Sequence, residues 1–590
     1  MRKLRVAWAL ALSASVGMNW MPAPVRAWAA DVSNVQSVVF GSTAEETAKG
    51  LDVDAVGNTY ISGHFLGTVD FDPGPGTATL TSVGDGDVYV VKFDSSGAYV
   101  WAKQFGVDAT IYSSALAVDS TGNIYVTGAF SGTTDFDPGS DVASLTSLGA
   151  YDTFVVKLDS SGGFVWVKQL GGPSDIEAYD VAVDSSDNVV VAGNFSGSAD
   201  FDPGTGTESL TAGQADGFVV KLASSGSFLW ARQFGSADNN DIVRAVDVDS
   251  SGNVVLTGDF KGTADFDPGA GSSELTAVNR NGFVVKMDSS GAYVWARQLA
   301  GSASGGYEIA VDSSANVFVA GEFQFTVDFD PGLGDASLTT SGPSNAFVLK
   351  LNSSGSYVWV KQFGGSTTNA GGLGLDKSGN VFLGGDLQGE GDFDPGDGTV
   401  TLKTFGKRDA FIVKLDALGR YVWVKQFGGT TSDSLTDLVV DASGHAYLVG
   451  EFEGTADFDP GDGALPQTSA GGVDIFLVKL AAEASPQSAA DTAGAAPTTS
   501  PDGGQSTAAS AASDGSPLSK GRSYSLAKIQ RLAKISKPKG GKVAMLAKSP
   551  VCRVASGRLV VAKAGTCKVK FVITNAKKKV TRKSVKLRAT

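Results

Sequence analysis

Short apolar segments rich in Val, Phe, Tyr and Trp, separated by clusters of Gly, Ser, Asp and Asn, run through residues 31–481. In one stretch these segments are Ala115-Leu116-Ala117-Val118, Asn123 to Phe130, Thr153 to Leu158 and Phe164 to Leu170. Their length and their turn-forming borders predict short antiparallel strands. The turns between them, such as Asp119-Ser120-Thr121-Gly122-Asn123 and Asp159-Ser160-Ser161-Gly162, supply Asx-type caps and residues that tolerate positive φ. The pattern repeats on a fixed beat. Asp-Phe-Asp-Pro-Gly begins at Asp70 and returns at Asp135, Asp200, Asp265, Asp328, Asp392 and Asp457, with spacings of 65, 65, 65, 63, 64 and 65 residues. A Val/Leu-Asp landmark keeps the same period at Asp54, Asp119, Asp184, Asp249, Asp312, Asp376 and Asp441.

Four strands per repeat and seven repeats predict an all-β fold, a seven-bladed β-propeller of four-stranded antiparallel blades spanning 31–481. A linear β-solenoid is the alternative, and the ends of the array argue against it. Six units finish on a Trp-bearing strand, at Trp101, Trp166, Trp230, Trp295, Trp359 and Trp423, whereas the seventh stops at Val478-Lys479-Leu480. The missing segment lies at the other end, where Phe40 of Val35-Gln36-Ser37-Val38-Val39-Phe40-Gly41 sits 65 residues before Phe105. An N-terminal strand completing the last blade would remove both free sheet edges. The Asp-x-Phe-Val-Val-Lys-Leu-Asp-x-x-Gly stretch, the Gln-Phe-Gly-Gly ending and the Val-Asp-x-x-Gly-Asn-Val-Tyr-Val-x-Gly strand resemble bacterial SBBP-type β-propeller repeats. The resemblance implies extracellular or cell-surface placement and carries no catalytic residues with it.

Composition adds the flanking parts. Met1-Arg2-Lys3-Leu4-Arg5, the apolar Val6 to Val16 stretch and Ala27-Trp28-Ala29-Ala30 read as a signal peptide over 1–30, which predicts a secreted protein. No later run is long and apolar enough for a transmembrane helix, so no membrane span is expected. Residues 482–518, rich in Ala, Ser, Thr, Pro, Gly and Asp, read as a flexible linker. From Ser519 onward there are 21 Lys and Arg and no acid, while 31–518 carries a net charge of −40. Such segregation speaks of partners and solubility. Within 519–590, Ser525 could cap a short helix bearing Leu526, Ile529, Leu532 and Ile535, followed by strands near Val551–Val554, Leu559–Val561, Cys567–Ile573 and Val580–Leu587. The stretch from Val551 to Val569 resembles a small bacterial Ig-like module of secreted actinobacterial proteins. In an exported protein, the two cysteines of that module, Cys552 and Cys567, are expected to form a disulfide worth about 3 kcal/mol. The basic surface is read either as a solvated face or as a dock for anionic cell-envelope polymers. Nucleic acid is not expected, since no stacking-aromatic pattern accompanies the charge.

Candidate chemistry is sparse. His64 fills a slot held elsewhere by Ala129, Asn194, Asp259, Glu322, Asp386 and Glu451, and His445 fills a turn position held by Asn in six other units. No nucleophile elbow, P-loop or zinc-ligand spacing occurs. The repeated carboxylates are therefore the candidates: Asp70 and Asp72, Asp135 and Asp137, Asp200 and Asp202, Asp265 and Asp267, Asp328 and Asp330, Asp392 and Asp394, Asp457 and Asp459. Alternate side chains of an extended segment share a face, so each pair could contribute to a Ca²⁺ site. The competing reading makes these aspartates turn caps, or partners of the third-strand lysines Lys92, Lys157, Lys221, Lys286, Lys350, Lys414 and Lys479. The functional expectation is a non-enzymatic, monomeric binding scaffold for an extracellular protein or glycan. A polysaccharide-active enzyme with an acidic site in the channel is the alternative.

Overall fold

In a computed structural model of the chain, the described residues are 34–482, apart from 85, 107–109, 237 and 462, together with the backbone of six strands between 523 and 589. The chain divides into two compact units, Met1–Gln487 and Ser488–Thr590, which are treated separately. All regular structure among the described residues is β-strand, paired antiparallel.

Each repeat is a small antiparallel sheet. In the second, Ile111–Val118, Ile124–Phe130, Asp152–Leu158 and Phe164–Leu170 pair in chain order. The first strand begins four residues before the predicted Ala115, because Ile111 and Ser113 continue the buried alternation. A two-stranded ribbon that the apolar pattern does not reveal, Thr133–Asp135 with Ser144–Thr146, extends the unit and carries the repeated motif. Its exposed Thr–Thr pairs explain why hydrophobicity misses it. Where the chain stays extended between units, one strand serves two of them, as in Tyr293–Val311 and Tyr357–Leu375.

The N-terminal strand Asn34–Phe40 pairs antiparallel with Pro466–Leu480, placing Phe40 opposite Ile475. Val38 and Phe40 join a buried cluster with Leu51, Phe71 and Tyr89 of the first unit and Tyr447, Ile475 and Leu477 of the seventh. Neighbouring units share their cores throughout, since sheets one face thick must bury apolar sides against each other.

The outer Trp strands latch one unit to the next. Trp166, Trp230 and Trp295 donate their indole N–H to the carbonyls of Ser224, Ser289 and Ser353 at 3.1–3.3 Å. Arg232 Nε reaches the Gly291 carbonyl at 2.9 Å beside the same contact. At the strand Asn34–Phe40, Gln36 stands where the other units have Trp, and it faces Gly97.

In the second compact unit, Ser523–Tyr524, Arg558–Val561 and Cys552–Ala555 form one three-stranded sheet, and Lys542–Leu546, Gly565–Thr574 and Val580–Ala589 form another. Four of these match the expected segments. The expected helix from Ser525 and the side chains of Cys552 and Cys567 lie outside the described residues.

Candidate functional site

The Asp-Phe-Asp-Pro-Gly segments sit at the ends of the ribbons and share one geometry. Asp70 Oδ1 accepts the N–H groups of Asp72 at 3.1 Å and Ala78 at 2.8 Å, and Asp72 Oδ1 accepts that of Gly74 at 2.8 Å. The same bonds recur at Asp135 and Asp137, Asp200 and Asp202, Asp265 and Asp267, Asp328 and Asp330, Asp392 and Asp394, and Asp457 and Asp459. Between the aspartates, Phe71 and its six equivalents are fully buried, each ring 4.7–4.9 Å from an aromatic ring of the third strand. In six units a glycine two residues after the Pro-Gly closes over the second aspartate, and any β-carbon at Gly76 or its equivalents would strike that Asp Oδ2. The motif is thus a core plug with a self-capped loop around it. Among the described residues, no three His, Cys, Asp or Glu side chains gather as a metal-holding group.

Four of the third-strand lysines pair with the other aspartate landmark, while Lys92 and Lys479 donate to the Ser160 and Ser95 carbonyls. Lys221 and Lys286 bind Asp184 and Asp249 at 2.7 Å, and Lys157 lies 3.5 Å from Asp119. Burial would raise the Asp119 carboxyl, but hydrogen bonds from Asn123 and Thr121 outweigh it and hold the group below its ordinary value. His445 occupies the Asn slot as expected, its Nδ1 2.8 Å from Asp441 Oδ2. Crevices of about 500 Å³ open between neighbouring units beside these turns, lined by Asp54, Lys92 and Asp119 in one case and by Asp184, Lys221 and Trp230 in another. Their likeness from unit to unit marks them as products of the repeat.

The first strands carry acids that the repeat does not require. Asp52, Asp180, Asp247 and Asp437 each accept the N–H of the following residue and one from the next unit: Val118, Val246, Val311 and Leu51, at 2.7–2.8 Å. Burial, exceeding the effect of those bonds, pushes Asp180 and Asp437 up to about 7, and Asp52 and Asp247 to about 6. Glu308 is raised well above its ordinary value, chiefly by burial and then by the charges of Asp437 and Asp180. Acids from the third, fifth and seventh units therefore feel one another.

A second assembly breaks the symmetry more strongly. It lies where the slot of His64, Asp259, Glu322, Asp386 and Glu451 meets the start of the first strands. Glu177 accepts the hydroxyls of Tyr112 at 3.2 Å and Tyr179 at 3.0 Å, and the Tyr112 ring lies 5.9 Å from that of Tyr151. Asp259 is held by Arg244 Nε at 2.6 Å and by Arg280, and the Arg244 guanidinium lies 5.1 Å from the Tyr307 ring centre. Asp386 receives Asn369 Nδ2 at 3.1 Å and pairs with Arg408 at 3.4 Å. Glu322 stands between these ion pairs. Burial and then Asp386 raise it to about 7, against the lowering influence of Arg244 and Arg408. Burial also lifts Asp386, to about 6. Sequence reasoning marked only the slot of Asp259, Glu322 and Asp386, as variable, and missed Tyr112, Glu177, Tyr179, Arg244 and Tyr307; the usable signal was that chemistry changes at a few facing positions while everything around them repeats.

The β-propeller repeat SBBP matches residues 100–129 and 165–201. An uncharacterized WD repeat-containing protein of Acanthamoeba polyphaga mimivirus is 22% identical over 65% of this chain and 32% of its own length. The regulatory protein FlaEY of Caulobacter vibrioides is 24% identical over 67% of this chain and 42% of its own length. The chain thus spans less than half the length of the curated relatives it matches. Among solved structures, an ulvan lyase from a new family of polysaccharide lyases aligns at 10% identity with a TM-score of 0.37, over 74% of this chain and 97% of that one. A Dyadobacter fermentans protein of unknown function aligns at 11% with a TM-score of 0.34, over 77% and 100%. The sequence matches and the repeated antiparallel sheets support a β-propeller repeat protein.

Proposed function

We propose that this chain is a secreted or cell-surface scaffold, a closed seven-bladed propeller that binds an extracellular glycan across the face built from Tyr112, Glu177, Tyr179, Arg244, Tyr307 and Asp386. The observation that carries the reading is this face itself: aromatic rings and paired charges contributed by five successive units, from the first strands and the facing second-strand slot, where the repeat supplies no reason for them. Tyrosine rings offer flat apolar surfaces to pyranose faces, and Arg–carboxylate pairs offer donors and acceptors to hydroxyls. Ring closure is supported by the Asp437–Leu51 bond and by the core shared between the first and seventh units. The acids at Glu322 and Asp386 keep the enzymatic alternative in view, since two neighbouring units bring them together.

The basic 519–590 module, with its Ig-like character and Cys552–Cys567 disulfide, is assigned envelope association. Calcium uptake at the Asp-Phe-Asp-Pro-Gly loops is proposed as an addition to their turn role. The capping bonds engage Oδ1 of each aspartate, so a cation would come to Oδ2. The reading is tested by exposing the full chain to a glycan array. Retention on a defined glycan class is expected, falling at least tenfold in Tyr179→Ala and Arg244→Ala but not in Ser160→Ala, in a crevice away from this face. Equal retention by all three variants refutes the assignment of the face.

A further inference from the structure

On the charged face every carboxylate but one has its own donor. Glu177 holds two tyrosine hydroxyls, Asp259 two arginines, Asp386 Asn369 and Arg408, and Glu451 lies 3.5 Å from Lys49. Glu322 is influenced only through space, by Asp386, Arg244 and Arg408, and no hydrogen-bond donor of the described residues reaches it. Ser344, which carries no charge, stands at the position from which Arg280 and Arg408 serve the neighbouring units. Across the ladder Glu322 faces Gly305, and the Tyr307 ring lies over that glycine. An aromatic wall therefore borders an unclaimed carboxyl, between two guanidinium–carboxylate pairs whose cations are already satisfied.

Such a place is short of one positive donor. The surrounding body is strongly acidic, so its long-range field attracts cations and repels anionic polymers. Aromatic faces beside a carboxylate are the usual surroundings of a bound ammonium. We propose that Glu322 anchors the protonated amine of an amino sugar, and that the glycan bound by this face is a deacetylated amino-sugar polymer. This rests on the glycan-binding reading above. The neighbouring Tyr112–Tyr151 and Tyr179 rings favour successive sugar rings over a basic peptide, because they continue the flat apolar surface along the face.

The probes are a glucosamine hexamer, its fully N-acetylated counterpart and hexalysine, titrated calorimetrically into the full chain at pH 6.5. The glucosamine hexamer is expected to bind at least tenfold more tightly than the other two. The preference should vanish in Glu322→Gln, and the ratio within one sample does not depend on how much of that variant is folded. A raised carboxyl that must ionise to meet the amine also releases protons, so the measured heat should vary with buffer ionisation enthalpy in the wild type more than in Glu322→Gln. Equal binding of the acetylated hexamer overturns the amine but leaves the glycan face standing, and equal binding of hexalysine overturns the sugar. Retained preference in Glu322→Gln overturns the role of Glu322, and an absence of binding by the glucosamine hexamer overturns the proposal outright.

Discussion

Asp437→Asn tests how the first strands are joined. In the folded chain, Asp437 Oδ1 accepts the Leu438 N–H at 2.6 Å and Oδ2 accepts that of Leu51, in the first unit, at 2.8 Å. Burial, opposed by these bonds and helped by the charge of Asp52, lifts its pKa from 3.8 to about 7. A raised carboxyl favours the protonated folded state. Its contribution is complete below the unfolded pKa and is lost as pH climbs through the folded value. A shift of about 3 units at about 1.4 kcal/mol each amounts to about 4 kcal/mol, of which roughly 2.5 kcal/mol falls between pH 5 and pH 8. Asparagine removes the titration and sets an amide N–H₂ against one of the two backbone donors, a cost of about 1–3 kcal/mol at every pH. The variant should therefore melt below the wild type at pH 5, and the gap should shrink by about 3 °C at pH 8 for a cooperative unit of about 450 residues. Differential scanning calorimetry at the two pH values reads this directly. Parallel Tm–pH curves for the two proteins would refute the reasoning, because a solvated Asp437 would have nothing to lose on ionising.

Three further outcomes follow from the repeat. Phe201→Ala empties a fully buried plug and should cost about 3–5 kcal/mol in chemical denaturation, whereas Asp200→Asn, which weakens only the loop cap, should cost about 1 kcal/mol. Gly291→Ala puts a β-carbon at φ 77° within 2.9 Å of the Trp230 ring and should lower stability by about 1–3 kcal/mol, while an equal loss in Ser290→Ala would argue against the latch. Millimolar Ca²⁺ should raise the Tm above that in EDTA if the aspartate loops hold calcium, by mass action on the folded state, and an unchanged Tm refutes calcium there.

The repeat, the four strands of each unit and the partnership of the N-terminal segment with the last unit were legible in the chain itself. Period-two burial and turn residues are local properties, and seven copies average out the noise of any one. Phe40 could be placed opposite the seventh unit because it keeps the register of Phe105. The motif ribbons were not legible, since Thr133 and Thr146 pair through exposed hydroxyls and leave no apolar stripe. Asp70 and Asp72 were visible as chemistry, but only the folded loop showed their oxygens turned onto backbone N–H groups. The lysine partners likewise depended on folding, because Lys221 and Asp184 are 37 residues apart and meet only when first and third strands flank the second. Hardest to read were Tyr112, Arg244, Glu322 and Asp386. Each looks like a random departure from its own repeat, and they become one face only when separate sheets bring first- and second-strand positions of different units side by side.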